Sequence, residues 1–342
     1  MTQTVLLTGI SGFIGLYCAK ELLNAGYKVK GTVRNSSKQQ EVINTFKKND
    51  INIKNLSFEI LELTSDNGWN EAIKGCEFVM HVASPFMIAN PKNEDEMLSP
   101  AVKGTRRVLN ASQKAGVKRI ILTSSTVSMM SSIRRGQFGP KDWTDLNCPD
   151  ISTYIKSKTI AERSAWDFIN ENKKISKMEL VVIAPGGVFG PPLGNNISCE
   201  SLIVLTKMLN GKIPMVPDAA FPMVDVRDVA KLHVQALKNP KVSGKRFIAS
   251  GKDPVSFADV AQILLNQGHK GPSTKKAPSW LLKLLSLFDR EAKGMLALLG
   301  MKLTADNSNT IKIFKWTSIP FEKTVIQSAN SIKIIQTKLM NS

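Results

Sequence analysis

Residues Thr8–Gly15 read "TGISGFIG", and this short stretch says more about the fold than any other part of the chain. Gly9, Gly12 and Gly15 lie between a strand-like apolar run, "TVLLTG", and a helix-like run, "FIGLYCAKELLNAG". Gly9 permits a sharp turn, Gly12 lets backbone approach a pyrophosphate, and Gly15 allows close helix packing. The free N–H groups and the dipole of a helix N-terminus favour an anion there. Because a second strand-like run follows, we predict dinucleotide binding rather than a structural turn.

The segments that follow this stretch alternate between short apolar runs and helix-like runs as far as Pro185. Such alternation predicts an α/β fold with a doubly wound parallel sheet, covered by helices on both faces. After Pro185 a Gly/Pro/Asn-rich loop follows and the spacing becomes irregular. We therefore predict a cofactor-binding domain from residues 1–185 plus about 222–250, and a smaller substrate-binding cap from about 186–221 plus 251–342.

Composition and cysteine usage are those of an ordinary soluble globular protein. The chain has 342 residues, of which 42% are hydrophobic and 22% are charged. No apolar run reaches the roughly 20 residues of a membrane span, and the N-terminus lacks the pattern of a signal peptide. The four cysteines are scattered, without a metal-like pair or a disulfide pattern. These features predict a reduced, cytoplasmic setting and no metal site.

The net charge of +18 raises the question of a polyanionic partner. The basic residues are spread along the whole chain in short pairs, without a long basic tract or interleaved aromatic residues. This distribution favours attraction of phosphate-bearing ligands over binding of nucleic acid. The apolar stretch 279–300 predicts a cover over a substrate cleft or part of a core, and a membrane-surface helix is the less favoured alternative.

The end of the second predicted strand indicates which dinucleotide binds. An acidic residue about 20 residues after the glycines would accept hydrogen bonds from the ribose hydroxyls of NAD. This chain has "GTVRNSSK" there, with Arg34 followed by Ser36, Ser37 and Lys38. A permanently charged guanidinium suits a 2′-phosphate, so NADP(H) is favoured over NAD(H). An Arg34 that stacks on adenine or faces solvent remains the alternative.

"YIKSK", residues Tyr154–Lys158, puts a phenol one helical turn before an ammonium. The pair is either a catalytic proton donor with its tuning charge or two polar groups on a solvated helix. The spacing alone does not separate these alternatives.

Taken together, "TGISGFIG", "HVASPF", "LTSST", "YIKSK" and "APGGVFGP" resemble the extended short-chain dehydrogenase/reductase family. Their order and spacing are most similar to its dihydroflavonol 4-reductase-like branch, which includes cinnamoyl-CoA reductases and microbial carbonyl reductases. The resemblance runs from the first strand to about Ile332. It implies a Rossmann-type fold and an NADP(H)-dependent oxidoreductase that moves a hydride between the nicotinamide and a ketone, aldehyde or secondary alcohol.

The resemblance also assigns the catalytic roles. Tyr154 would exchange a proton with the substrate oxygen, and Lys158 would favour its phenolate and contact the nicotinamide ribose. Ser125 would hold and polarise the substrate oxygen. The preceding residue in "ILTSST", Ser124, is also a serine and is the one that could be confused with it.

Further positions are implied as parts of the cofactor site. In the glycine turn and after the second strand, these are Gly9, Ser11, Gly12, Phe13, Ile14, Gly15, Arg34 and Lys38. Beyond them they are Glu62, Leu63, Val82, Ala83, Ser84, Thr123, Tyr154, Lys158, Pro185 and Val188. Glu62 stands where the family usually has Asp beside the adenine. His81 is expected to pack beneath its strand, and Lys103 and Thr105 to belong to the wall behind the site.

Two features limit the prediction of a substrate. The loop after Ser125 does not match the plant enzymes, and no equivalent of their contacts to a flavonoid ring is found. The alternatives are a nucleotide-sugar epimerase or dehydratase, a 3β-hydroxysteroid-type dehydrogenase, or a non-catalytic NADP(H)-binding regulator. Arg34 and "SSTVSM" count against the first, and the presence of both Tyr154 and Lys158 counts against the last. We expect a small-molecule substrate, no nucleic acid, and a monomer or homodimer.

Overall fold

The computed structural model of the chain describes residues 2–85, 91–149 and 151–340. Phe86, the last residue of "HVASPF", lies outside these ranges. The strands are β1 (Thr4–Thr8), β2 (Lys28–Val33), β3 (Leu56–Ile60), β4 (Phe78–His81), β5 (Arg119–Thr123), β6 (Arg135–Phe138), β7 (Glu179–Pro185), β8 (Gly187–Phe189), β9 (Ala220–Asp225), β10 (Lys245–Ala249), β11 (Pro254–Ser256) and β12 (Lys302–Ala305). The helices are α1 (Phe13–Asn24), α2 (Ser36–Lys48), α3 (Trp69–Ile73), α4 (Asp95–Lys114), α5 (Val127–Met130), α6 (Thr153–Asn172), α7 (Glu200–Leu209), α8 (Val226–Lys238), α9 (Phe257–Asn266), α10 (Ser279–Leu285), α11 (Arg290–Met295), α12 (Ser308–Phe314) and α13 (Phe321–Met340).

Within the described residues, seven strands form a parallel sheet in the order β10-β7-β5-β4-β1-β2-β3. The strand order changes direction between β1 and β4, because β1 pairs with β2 on one side and with β4 on the other. A crevice opens at the carboxyl ends of the strands at such a point, and dinucleotides bind there in folds of this kind. The predicted α/β, doubly wound fold is confirmed.

Helices cover both faces of this sheet, and the side chains of β1 alternate between the two cores. Val5 and Leu7 belong to the core that α1, α2 and α8 cover, whereas Leu6 belongs to the core that α3, α4 and α6 cover. A strand buried on both faces must be apolar at every position, which explains the continuous apolar run after Thr4.

A smaller sheet has the order β11-β9-β12-β6, and β8 pairs with β9 beside it. Its core contains side chains of α7, α9 and α13 together with Met129 and Met130 of α5. At the end of β9, Asp225 caps α8 by accepting a hydrogen bond from the backbone N–H of Arg227. The division into two domains at residues 185, 222 and 250 stays a prediction.

Arg119 ties the C-terminal end of α8 to the sheet. The edge strand β10 follows this helix and comes late in the chain. Arg119 begins β5 and is 7% exposed. One of its guanidinium nitrogens donates hydrogen bonds to the carbonyls of Ala236, Leu237 and Asn239, at 2.7–2.9 Å. These carbonyls lie at and just after the C-terminus of α8, where a cation complements the helix dipole.

The apolar segment around α10, predicted as a cover over a substrate cleft or as part of a core, has several exposed apolar side chains. Trp280, Leu284, Leu287 and Phe288 are all at least half exposed, and Phe288 reaches 86%. In contrast, Leu282 is buried. The core alternative is therefore wrong for these four residues, and the alternative of a cover over a substrate cleft stays a prediction.

Candidate active site

The glycine turn connects β1 to α1 with very little space around it. Gly9 has φ +70°, a conformation that L side chains rarely adopt. A Cβ atom on Gly15 would lie 2.1 Å from the Gly9 carbonyl oxygen, so only glycine fits there. Among the described residues, no side chain caps the first turn of α1, which begins after Gly12, and no acidic residue lies in that turn. This helix N-terminus is therefore suited to an anion.

The end of β4 is fastened to the same turn by a buried hydroxyl. Thr8 Oγ1 accepts hydrogen bonds from the backbone N–H groups of Val82 and Ala83, at 3.1 and 3.0 Å. The same hydroxyl lies 2.8 Å from His81 Nδ1, and Thr105 Oγ1 lies 3.4 Å from His81 Nε2. Burial lowers the pKa of His81 to about 3, and the charge of Lys158 acts in the same direction. His81 is thus a neutral hydrogen-bonding residue beneath the strand.

The end of β2 presents a cation to solvent. Arg34 is exposed, and the following Asn35 caps α2 by accepting a hydrogen bond from the backbone N–H of Lys38 at 3.0 Å. The Lys38 ammonium pairs with Glu41 at 2.5 Å, which leaves Arg34 the more available of the two cations. Glu62 is also exposed.

Ser125, Tyr154 and Lys158 meet at the carboxyl edge of the sheet. Ser125 follows β5, and Ser152 starts α6 by accepting a hydrogen bond from the backbone N–H of Ile155 at 3.3 Å. Burial raises the pKa of Tyr154 to about 12, and a hydrogen bond from Ser125 acts in the opposite direction. Burial lowers the pKa of Lys158 to about 8, and the charge of Glu162 opposes that change. The hydroxyl, the phenol and the amine therefore share one partly dry site.

The two neighbouring serines have different partners. Ser125 hydrogen-bonds Tyr154, whereas Ser124 donates a 2.5 Å hydrogen bond to Glu162, behind the site. Backbone bonds to β7 hold this segment, since the N–H of Ser124 binds the Ile183 carbonyl at 2.8 Å. Ser125 is thus the serine beside the phenol, and its catalytic role stays a prediction.

Some of the remaining predicted positions line the crevice, and others contact the interior or face solvent. Ala83, Ser84, Thr105 and Lys158 line a narrow pocket. Thr123 also lines it, but its hydroxyl lies 2.7 Å from His233 Nε2 in the interior. Lys103 is exposed. Seven further positions lie on or beside the elements that flank the crevice: Ser11, Phe13, Ile14, Leu63, Val82, Pro185 and Val188.

One buried group behind the site was missed from the sequence. Glu162 is 1% exposed and pairs with Arg246 of β10, with Nε and Oε1 2.5 Å apart. Its position one turn after Lys158 was a usable signal, because that spacing places both side chains on one helix face. Arg246 is far away in the sequence, and no local pattern points to it.

Comparison with known proteins agrees with this geometry. A family model described as "NAD dependent epimerase/dehydratase family" matches residues 5–249. The chain belongs to this family. It is 31% identical to a putative NADPH-dependent methylglyoxal reductase of Candida albicans, over 77% of this chain and 82% of that protein. It is 36% identical to a cinnamoyl-CoA reductase of Medicago truncatula, over 71% of this chain and 70% of that protein.

A solved structure extends the likeness to the whole fold. It is a yeast methylglyoxal/isovaleraldehyde reductase complexed with NADPH, with a TM-score of 0.80 and 24% identity, covering 98% of this chain and 99% of that one. The predicted family and its reductase branch are confirmed, and the predicted oxidoreductase activity and NADP(H) cofactor agree with these relatives. In residues 2–85, 91–149 and 151–340, no helix has both the length and the apolar character to cross a membrane.

Proposed function

We propose that this protein is an NADPH-dependent reductase of a small ketone or aldehyde, with Ser125, Tyr154 and Lys158 as its catalytic residues. The observation that carries the proposal is the hydrogen bond between Ser125 and Tyr154, beside the buried Lys158, at the carboxyl edge of the sheet. A reductase needs a hydroxyl to hold the carbonyl oxygen and an acid to protonate it, and these two groups are adjacent here.

The residues around the crevice fit the cofactor. The uncapped N-terminus of α1 would hold the pyrophosphate, and the tight turn at Gly9 and Gly15 leaves backbone exposed to it. Arg34 would pair with the 2′-phosphate, since it is exposed at the end of β2. Val82 and Ala83 would line the cofactor, because Thr8 fixes the end of β4 beside the glycine turn.

The chain's own residues would manage the proton. NADPH, when bound, supplies the hydride for carbonyl reduction. Ser125 holds the carbonyl oxygen, and Tyr154 gives it the proton that completes the alcohol. Losing that proton from a phenol with a pKa of about 12 is costly. The ammonium of Lys158, one helical turn further on, would lower the cost by stabilising the phenolate.

Substrate, location and assembly belong to the same proposal. The relatives' names, methylglyoxal reductase and cinnamoyl-CoA reductase, support a carbonyl substrate such as an aldehyde or ketone, and the loop after Ser125 would select it. We expect a cytoplasmic enzyme that is a monomer or a homodimer.

The test is the loss of NADPH absorbance with a panel of aldehydes and ketones. Tyr154→Phe should lower kcat about 100-fold or more, because it removes the acid, while the NADPH dissociation constant stays the same. Tyr27→Phe is the matched control, since Tyr27 is a buried phenol that packs under Lys238 away from the site. Near-normal turnover by Tyr154→Phe would remove Tyr154 from its role, and release of a sugar nucleotide on denaturation would favour the epimerase/dehydratase alternative.

A further inference from the structure

A buried carboxylate lies directly behind the proposed catalytic residues. Glu162 follows Lys158 by one turn of α6, so Tyr154, Lys158 and Glu162 form a row along one face of the helix. Glu162 is 1% exposed, and a charge at such a depth is costly unless it is paired and hydrogen-bonded.

The partners of Glu162 come from several elements. Its Oε2 accepts hydrogen bonds from Ser124 at 2.5 Å and from Ser128 at 2.8 Å. Its Oε1 accepts from Arg246 Nε at 2.5 Å and from Trp166 Nε1 at 3.2 Å. Ser124 directly precedes Ser125, and Ser128, three residues after it, has its hydroxyl 2.8 Å from the Ser125 carbonyl oxygen. One carboxylate thus binds two serines that adjoin the proposed substrate-binding residue.

Arg246 extends the connection to the loop that follows Ser125. One of its nitrogens donates to the carbonyls of Pro140 and Asp142, at 3.0 and 2.7 Å. Its guanidinium also lies over the ring of Trp143, 3.8 Å from the centroid. The ion pair between Glu162 and Arg246 thus joins this loop, which is expected to shape the substrate pocket, to α6.

We propose that Glu162 is a positioning residue of the reductase, which holds Ser125 through its two neighbours and supplies the counter-charge for the buried Lys158. This inference rests on the proposed function. In this role Glu162 acts through Ser124, Ser128 and Lys158 rather than through a direct bond to the substrate.

The other described groups around Lys158 carry no negative charge, so we assign its counter-charge to Glu162. On β4, His81 is neutral near pH 7, because burial lowers its pKa to about 3. On α6 itself, the phenol of Tyr154 is neutral at this pH. On β10, Arg246 is a cation that contacts both oxygens of Glu162, Nε to Oε1 at 2.5 Å and Nη2 to Oε2 at 3.3 Å, so it adds no negative charge near Lys158.

The neighbouring helix α4 supplies no counter-charge in the described residues that line this pocket. Thr105 is the α4 residue in the pocket wall. The ion pairs that join this region to α6 lie elsewhere, since Glu94, just before α4, pairs with Lys156, and Arg106 of α4 pairs with Glu171. Lys103 is exposed.

The experiment compares the pH dependence of kcat for carbonyl reduction in Glu162→Gln, Glu162→Asp and the wild type. Glu162→Gln keeps the shape of the side chain but removes its charge, so Lys158 should lose its proton at a lower pH. The basic limb of the profile should then move down by about one pH unit. Glu162→Asp keeps the charge but shortens the reach to Ser124 and Ser128, so the limb should stay in place while kcat falls.

Glu179→Gln is the matched control, because Glu179 also pairs with a buried arginine of the same sheet, at the opposite strand ends. It should leave the profile unchanged. NADPH titration by fluorescence and the thermal midpoint show, independently of turnover, that each variant is folded and keeps its cofactor site. If Glu162→Gln does not fold because Arg246 is left unpaired, the double variant Glu162→Gln/Arg246→Gln is used instead. Its basic limb should move in the same direction but by less, because a cation is removed together with the anion.

The outcomes separate the two proposals. If the wild type reduces no carbonyl of the panel, the proposed function fails. If the wild type is active and Glu162→Gln has the wild-type basic limb, or if Glu162→Asp moves that limb as far as Glu162→Gln, the role of Glu162 is overturned.

Discussion

At the scale of single residues, Arg34 is the position that we propose selects the form of the dinucleotide. Its guanidinium is exposed at the end of β2, where an NAD-specific chain would carry a carboxylate. A carboxylate would repel a 2′-phosphate, whereas a guanidinium can bind it through two hydrogen bonds. On this proposal, the choice between the two cofactors depends on the charge at one position.

Replacing Arg34 with alanine should weaken NADPH binding about tenfold or more, because a charge-assisted phosphate contact is lost. NADH binding should not change. Fluorescence titration with both cofactors measures the effect, and Arg290→Ala serves as a control because Arg290 is an exposed arginine at the start of α11. An unchanged NADPH dissociation constant in Arg34→Ala would contradict the role.

At the scale of elements, the contact between the β1–α1 turn and the start of α1 leaves no room for a side chain. Gly15→Ala would place a Cβ atom 2.1 Å from the Gly9 carbonyl oxygen, so the helix must move away from the turn. We expect a loss of about 1–3 kcal/mol in the free energy of unfolding and a marked loss of NADPH affinity.

Denaturant unfolding and cofactor titration measure both effects. Gly139→Ala is a suitable control, because its Cβ atom would meet nothing closer than 3.7 Å. If Gly15→Ala binds NADPH as the wild type does, the tight approach of helix and turn is unimportant for the site.

For the segment around α10 we predict the opposite, namely that substitutions leave the stability almost unchanged. Leu287 and Phe288 are 73% and 86% exposed, so their replacement should change the free energy of unfolding by no more than about 0.5 kcal/mol. The double variant Leu287→Ser/Phe288→Ser should bind less of a hydrophobic dye such as ANS, because exposed apolar surface is removed. A clear loss of stability would mean that these side chains are packed in solution.

At the scale of the whole molecule, two buried histidines make stability depend on pH. Burial lowers the pKa of His81 to about 3 and that of His233 to about 4. Between these values and the unfolded pKa of about 6.5, the unfolded chain binds more protons than the folded one. The free energy of unfolding must therefore fall as the pH drops through this window.

The loss attributable to His233 should be about 2 kcal/mol between about pH 7 and about pH 5. His233→Gln removes that titration, so the variant should lose less stability over the same range. Urea unfolding at both pH values provides the comparison. An equal loss in the variant and the wild type would show that His233 contributes nothing to the pH dependence.

The features that the sequence predicted are those set by local spacing. The glycine turn and the row of Tyr154 and Lys158 each lie within one element or its junction, where a pattern of a few residues determines the geometry. The pairing of Glu162 with Arg246 depends on two elements that meet only in the folded chain. The exposure of Phe288 could not be predicted from the sequence either, because an apolar pattern does not show whether another surface covers it.

The late position of β10 has a consequence for synthesis on the ribosome. When β7 has emerged from the ribosome, the strand that will cover its edge and the carbonyls that will bind Arg119 have not yet been made. At about 5–20 residues per second, the nascent chain waits on the order of seconds with that edge open. An uncovered strand edge can pair with another chain, so this interval is the time at which newly made copies are most exposed to aggregation and most in need of a chaperone.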